Sequence, residues 1–199
     1  MQPTTTPADP PALKSYNFSP VDMKNTKIFN NQPALPLYSV VTDLKSDKRT
    51  EIFDARADRL LARIERNNIL PDTITFPSRN DGSSINLSRW LQKGKLEDGH
   101  QIHAIETGHG TYMWKSDREL RLALYRKDDM SNHVAHLQEG SRTQNFAVIM
   151  QPEAQLIRDD VIISFLILEQ RLRVSEKNVN VGGGKYDQNR TLLGHIVNP

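Results

Sequence analysis

The chain has 199 residues and a mass of 22.7 kDa, a length that a single core can serve, with Lys and Arg (26) only just exceeding Asp and Glu (24). That balance is too even to point to a nucleic-acid partner, although a pI near 8.8 leaves anionic surfaces open as partners. The absence of cysteine excludes disulfides and thiolate metal sites and is compatible with a reducing compartment, while 37% hydrophobic residues suffice for a folded interior despite a mean hydropathy of -0.60.

Residues 1–20 hold five of the eleven prolines and a threonine run, a composition that buries too little to offset its ordering entropy, so a disordered Pro/Thr-rich tail is predicted there. Thr6-Pro7 and Ser19-Pro20 are candidate sites for proline-directed phosphorylation. The start lacks a basic segment followed by an apolar one, so export by a cleaved leader is not expected, and sequons at Asn17, Asn86 and Asn189 carry no weight. No run approaches the roughly 20 apolar residues that span a bilayer.

Beyond the tail the pattern is of short apolar segments between turn residues, which predicts a mainly β domain over 21–178. Residues 37–42 and 50–53 flank a polar run, Asp43 to Arg49, and form one hairpin; 72–76, bounded by Pro71 and Pro77, is a further strand. Strands follow at 101–107, 111–115, 120–126, 133–138 and 145–150, with Leu120, Leu122 and Leu124 on one core-facing side. Residues 54–67 admit two readings. Ala57, Leu60, Leu61 and Ile64 have helical spacing with Asp54 as a cap, whereas a strand over 59–66 would turn Ala62 and Ile64 inward.

The segment from Leu156 to Arg173 predicts a helix over about 157–175. Asp159 and Asp160 sit where a helix start favours negative charge, and Arg171, Arg173 and Lys177 where its end favours positive charge. Seven of the eight residues from Val161 to Leu168 are large and apolar, so no face is left for water and the helix has to be enclosed. At about 1.5–3 kcal/mol per side chain, that burial is worth roughly 10–20 kcal/mol before entropy. The β-branched Val161, Ile162 and Ile163 would also suit a central strand; the charged flanks favour helix. After it, 179–199 is expected to be a flexible Gly-containing tail. Its Gly182-Gly183-Gly184-Lys185 is no phosphate loop, because the earlier glycine is missing and Tyr186 stands where Ser or Thr is needed.

The order of these features, a β-rich body with Gly110-Thr111-Tyr112-Met113-Trp114-Lys115 and a closing Asp160-Val161-Ile162-Ile163-Ser164-Phe165-Leu166-Ile167-Leu168-Glu169, resembles an uncharacterised fungal family found in basidiomycetes, part of the tubby C-terminal-like group. Leu37-Tyr38-Ser39-Val40-Val41-Thr42, and Leu61-Ala62-Arg63-Ile64-Glu65-Arg66 followed by Thr73-Ile74-Thr75-Phe76, are similar to that family's opening strands, and the likeness covers about residues 30–175. The resemblance implies a closed antiparallel β-barrel enclosing a hydrophobic C-terminal helix, as in LURP-one-related and phospholipid scramblase proteins, and tips 59–66 toward strand. No residue matches a known headgroup motif of tubby, so none is transferred.

Little chemistry is legible. His100/His103 and His133/His136 have metal-ligand spacing, but residues three apart on a strand face opposite ways and cannot close on one ion unless the chain bends. Asp128-Asp129 and Asp159-Asp160 read as a turn and a helix start, no Gly-X-Ser-X-Gly elbow occurs, and Trp90, Trp114, Tyr112 and Tyr125 are not interleaved with a basic run. No metal, cofactor or enzymatic activity is expected. Lys45, Lys48 and Arg49 form a basic cluster at the hairpin tip that could meet an anionic phospholipid headgroup, at about 1 kcal/mol each near the surface. The expectation is a non-enzymatic intracellular binding module, cytoplasmic or peripheral at membranes, for an anionic phospholipid or a protein partner. A structural or interaction protein regulated through its N-terminal tail, and a hydrolase with an unfamiliar site, are the alternatives.

Overall fold

The computed structural model describes residues 12–30, 35–116, 119–141 and 144–181. Thirteen strands run in chain order: β1 (Lys14–Ser19), β2 (Thr26–Phe29), β3 (Tyr38–Thr42), β4 (Arg49–Asp54), β5 (Arg59–Glu65), β6 (Thr73–Thr75), β7 (Ser84–Asn86), β8 (Gln92–Lys95), β9 (Gln101–Thr107), β10 (Gly110–Lys115), β11 (Ala123–Arg126), β12 (Asp129–Gln138) and β13 (Ala147–Met150). A one-turn helix, α1 (Leu87–Trp90), separates β7 from β8, and a long helix, α2 (Arg158–Val181), closes the described chain.

All strand pairs are antiparallel and belong to one sheet, ordered β7-β6-β5-β4-β3-β2-β1-β13-β12-β11-β10-β9-β8. Two meanders are thus joined where β1 pairs with β13, Lys14 opposite Met150 and Asn17 opposite Ala147. The sheet curls around α2, whose partners come from both meanders: Phe18 of β1, Tyr38 of β3, and Trp114 of β10. Every residue from Val161 to Leu168 is at most 5% exposed, so the apolar stretch is an enclosed helix and neither a strand nor a solvent-facing element.

Closure of the barrel by hydrogen bonds is not found. β7 and β8 are edge strands that do not pair with each other. Between them α1 contacts β7, β8 and β9. Leu87 and Trp90 are buried there, Trp90 against Phe76 at 5.2 Å, so side chains fill the region where a closed barrel would have a ladder.

Three further expectations are corrected. β1 lies inside the segment read as a disordered tail: Tyr16 and Phe18 alternate inward and are 2% and 4% exposed, a short period-two signal outweighed in composition by the surrounding prolines. Thr6-Pro7 falls outside the described residues, and Ser19 is exposed at the end of β1. Second, α2 runs to Val181, past the expected end at 175 and into the segment read as a flexible tail; Gly182 to Pro199 lie outside the described residues. The cations read as an end signal therefore act sideways, Arg173 on Glu169 at 2.7 Å. Third, β2, β7, β8 and α1 form in segments whose sequence pattern predicts no element.

Within 54–67, Arg59–Glu65 form strand β5, in keeping with the strand reading of 59–66. Its pairing with β4 sets Ala62 opposite Ile52 and Ile64 opposite Thr50, with Arg63 ion-paired to Glu51 at 2.8 Å, and this long-range ladder overrides local helical spacing. Asp54 does cap, but it caps a turn, accepting from the amides of Arg56 and Ala57.

Buried polar groups on α2 are partnered. Ser164 Oγ accepts from Trp114 Nε1 at 2.8 Å and donates to the Asp160 carbonyl. Asp160 takes a bidentate Arg79, and Glu169, 1% exposed, accepts from Arg121 and Arg173.

Candidate functional site

The basic hairpin tip has the expected composition and a different internal chemistry. Lys45, Lys48 and Arg49 are exposed. The turn is built on Asp43, whose carboxylate accepts from Lys45 N at 3.0 Å and Ser46 Oγ at 2.7 Å, an arrangement that holds its pKa below the usual carboxylate range. Asp47 pairs with Lys24 of the β1–β2 loop, and Arg49 pairs with Glu65 at 3.6 Å. Lys45 and Lys48 point to solvent without an ion pair among the described residues, whereas Arg49 is partly neutralised.

Beside this tip lies a groove of about 770 Å³. Ile64, Leu87 and Ile167 give it apolar walls, its cations are Lys24, Arg66 and Arg171, and the carboxylates of Asp47 and Asp72 line it too. Arg66 follows β5 and Arg171 projects from α2; both are half-buried. Arg66 donates to two neutral oxygens, Thr50 Oγ1 at 2.8 Å and Gln170 Oε1 at 2.6 Å. Among the described residues neither arginine has a carboxylate within ion-pair distance, although Asp72, and Asp47 for Arg66, act on them from farther off. Burial pulls both guanidinium pKa values below normal, Asp72 opposes this, and Arg66 adds repulsion at Arg171. Two desolvated cations that lack a close carboxylate, on a concave surface that also carries Lys24, Asp47 and Asp72, form a place where an anion would be favoured.

Sequence reasoning missed both arginines, though each left a signal. Arg66 continues the inward alternation Ala62, Ile64, and Arg171 lies four residues after Ile167 and three before Val174, both of which line the groove. A cation on a core-facing stripe was the available sign.

The loops that line the groove also carry apolar tips. Leu44, in the loop of Asp47, is 85% exposed, and Ile69 and Leu70, between Arg66 and Asp72, are 96% and 70% exposed. Val174 of α2, at the groove itself, is 50% exposed.

Behind Arg171, His103 of β9 faces inward opposite Trp114 and is 5% exposed. Burial first, then the positive charges of Arg171 and Lys93, push its pKa down to about 4. The folded state thus binds this proton less readily than the unfolded chain, so the neutral ring's stabilisation is complete above the unfolded value near 6.5 and is lost as pH falls toward 4. Urea unfolding of the wild type is expected to show about 2–3 kcal/mol more stability lost between pH 7 and pH 4.5 than a His103→Gln variant; equal pH slopes would contradict it.

The two histidine pairs behave differently. His100 lies beside Asp98 at 2.9 Å in the turn before β9, apart from the inward His103. On β12 the chain does bend. The β11 register passes from Leu124 opposite Ala135 to Tyr125 opposite His133, skipping Val134, so His133 and His136 come to one face with ring centres 4.7 Å apart. Among the described residues no group of three or more metal-ligating side chains occurs, and Asp128 and Asp129 are engaged at a turn by Arg126, Ser131 and Asn132. No helix of the described residues is long and apolar enough to cross a membrane.

Comparison with known families finds a match over residues 21–174, to a family of unknown function (DUF6593). The comparisons with curated proteins and with solved structures gave no match.

Proposed function

Since the chain belongs to the family of unknown function DUF6593, whose description names no ligand, we propose from the groove that it is a non-enzymatic binding module for the anionic headgroup of a phospholipid, working peripherally at a membrane surface. The observation that carries this reading is the pair Arg66 and Arg171, half-buried on one groove, outside ion-pair distance of its aspartates, and hydrogen-bonded, where bonded at all, to neutral oxygens. A headgroup phosphate or carboxylate would supply the close counter-charge that Asp47 and Asp72, farther off, do not.

The surroundings support a lipid in particular. Leu44, Ile69 and Leu70 stand exposed on the loops that border the groove, and each could gain about 1.5–3 kcal/mol on leaving water. Lys45 and Lys48 beside Leu44 would add about 1 kcal/mol each near an anionic surface. The basic tip thus serves approach and orientation, and the groove serves recognition. A large antiparallel sheet around one apolar helix is also in keeping with the tubby-like kinship inferred from sequence, with the cytoplasm as the setting.

The test is co-sedimentation with phosphatidylcholine vesicles, plain or containing phosphatidylserine or phosphatidylinositol 4,5-bisphosphate, at low and physiological salt. Wild type is expected to bind the anionic vesicles at both salts. A Leu44→Ser/Ile69→Ser/Leu70→Ser variant should keep binding at low salt and lose most of it at physiological salt, where charge is screened. Absence of binding to every anionic vesicle at both salts would end the reading in favour of a protein partner.

A further inference from the structure

We infer that His133 and His136 form a two-imidazole site for a divalent transition-metal ion of the nickel-to-zinc range on the outer face of β12. The site shares no residue with the groove and does not depend on what the groove binds.

The inference starts from the bulge. In a regular strand residues three apart diverge, and these two would be unable to share an ion. Here Val134 is the extra residue: His133 pairs with Tyr125, Ala135 with Leu124 and His136 with Ala123, so Val134 and Ala135 both turn into the core, 4% and 0% exposed, and the flanking histidines both turn out. Their rings stand edge to face, centres 4.7 Å apart and planes at 84°. Two imidazoles holding one ion side by side, each nitrogen about 2.1 Å away, set their ring centres about 4.5–5.5 Å apart. The pair therefore already has the ring spacing of a chelate, and χ2, a soft torsion for histidine, is the motion available to turn its nitrogens toward an ion.

The setting favours an ion over mere stacking. Both rings are half-buried, so their rotamers are restricted and less entropy is lost on binding. The Tyr125 ring packs edge-on against His133 at 6.2 Å, and Gln151 Nε2 donates to the His133 carbonyl at 2.6 Å, fixing ring and backbone of one ligand. Imidazole donors select the later divalent ions.

The experiment is calorimetric titration of the whole chain with zinc chloride and with nickel chloride at pH 7.5. One ion per chain is expected, with affinity reduced about tenfold or more in His133→Ala and in His136→Ala and unchanged in His103→Gln. Nickel added to the wild type should broaden the ring proton signals of His133 and His136 before those of His100 and His109, a measurement that needs no variant to fold. Absence of saturable binding, binding unchanged in the double variant, or first broadening at His100 or His109 would overturn the assignment.

Discussion

Replacing Phe165 by alanine is expected to cost about 3–5 kcal/mol of stability, a large share of what a domain of this size has. The ring is 0% exposed at the middle of α2 and meets aromatic rings from separate parts of the sheet: Phe18 of β1 at 5.3 Å, Trp114 of β10 at 6.1 Å and Phe146, just before β13, at 6.2 Å. Truncation removes the transfer energy of the ring and leaves a cavity whose walls belong to different strands and cannot all collapse together. Urea unfolding, read as a shift in midpoint at constant slope, measures the loss. Val174→Ala on the exposed side of the same helix is the control and should move stability by no more than about 0.5 kcal/mol. Similar small losses at both positions would mean that α2 is not held inside the sheet.

Arg121→Met should be comparably damaging, at about 3–5 kcal/mol, for a different reason. Arg121 lies between β10 and β11, donates Nε to Glu169 at 2.9 Å and both terminal nitrogens to Glu176. Burial alone would lower its pKa, but the bonds to Glu176 and Glu169 outweigh that and raise it, so this cation is firmly committed to its partners. Without it, Glu169 stays 1% exposed with only Arg173 for company. The cost comes from the stranded carboxylate rather than from the lost bond, so Arg121→Met/Glu169→Leu should recover much of the stability that Arg121→Met loses. A double variant as unstable as the sum of the singles would refute that explanation.

These two sites also mark how far the sequence could be read. The run from Val161 to Leu168 was legible because seven large apolar side chains leave a helix no polar face, and enclosure follows from that alone. Of the stripe Leu120, Leu122 and Leu124, the last two are 0% exposed as a core face requires, whereas Leu120 is half-buried and the strand begins only at Ala123, so the alternation was legible over a shorter stretch than 120–126. Strand β5 was not, because its state depends on pairing with β4, a contact no local window contains. β1 was hidden by its neighbours: two inward aromatics, Tyr16 and Phe18, are a weak signal beside Pro-rich flanks, although β1 is where the two meanders meet. Closure of the barrel was expected from resemblance, and no sequence feature marked α1 as the element that interrupts the ladder.

The groove was less legible than the fold, and the cause is physical. Lys45, Lys48 and Arg49 lie within five positions of one another and read as a cluster, yet Arg49 is paired to Glu65. Arg66 and Arg171 are 105 positions apart and become neighbours only when α2 is threaded through the sheet beside β5. The same holds for His133 and His136, whose shared face depends on a bulge that the spacing rule forbids in a regular strand.

An unpaired, desolvated arginine pair is costly to a fold that has no use for it. Neutral substitutions there should therefore leave stability unchanged or raise it slightly while removing binding, the reverse of the behaviour expected at Arg121. Arginine side-chain NMR during titration with a soluble short-chain phosphatidylserine follows the groove residue by residue. The Nε–H signals of Arg66 and Arg171 should shift together and saturate, while exposed Arg56 stays in place. Shifts spread evenly over the exposed arginines, with Arg66 and Arg171 unmoved, would show that the groove is not where the headgroup binds.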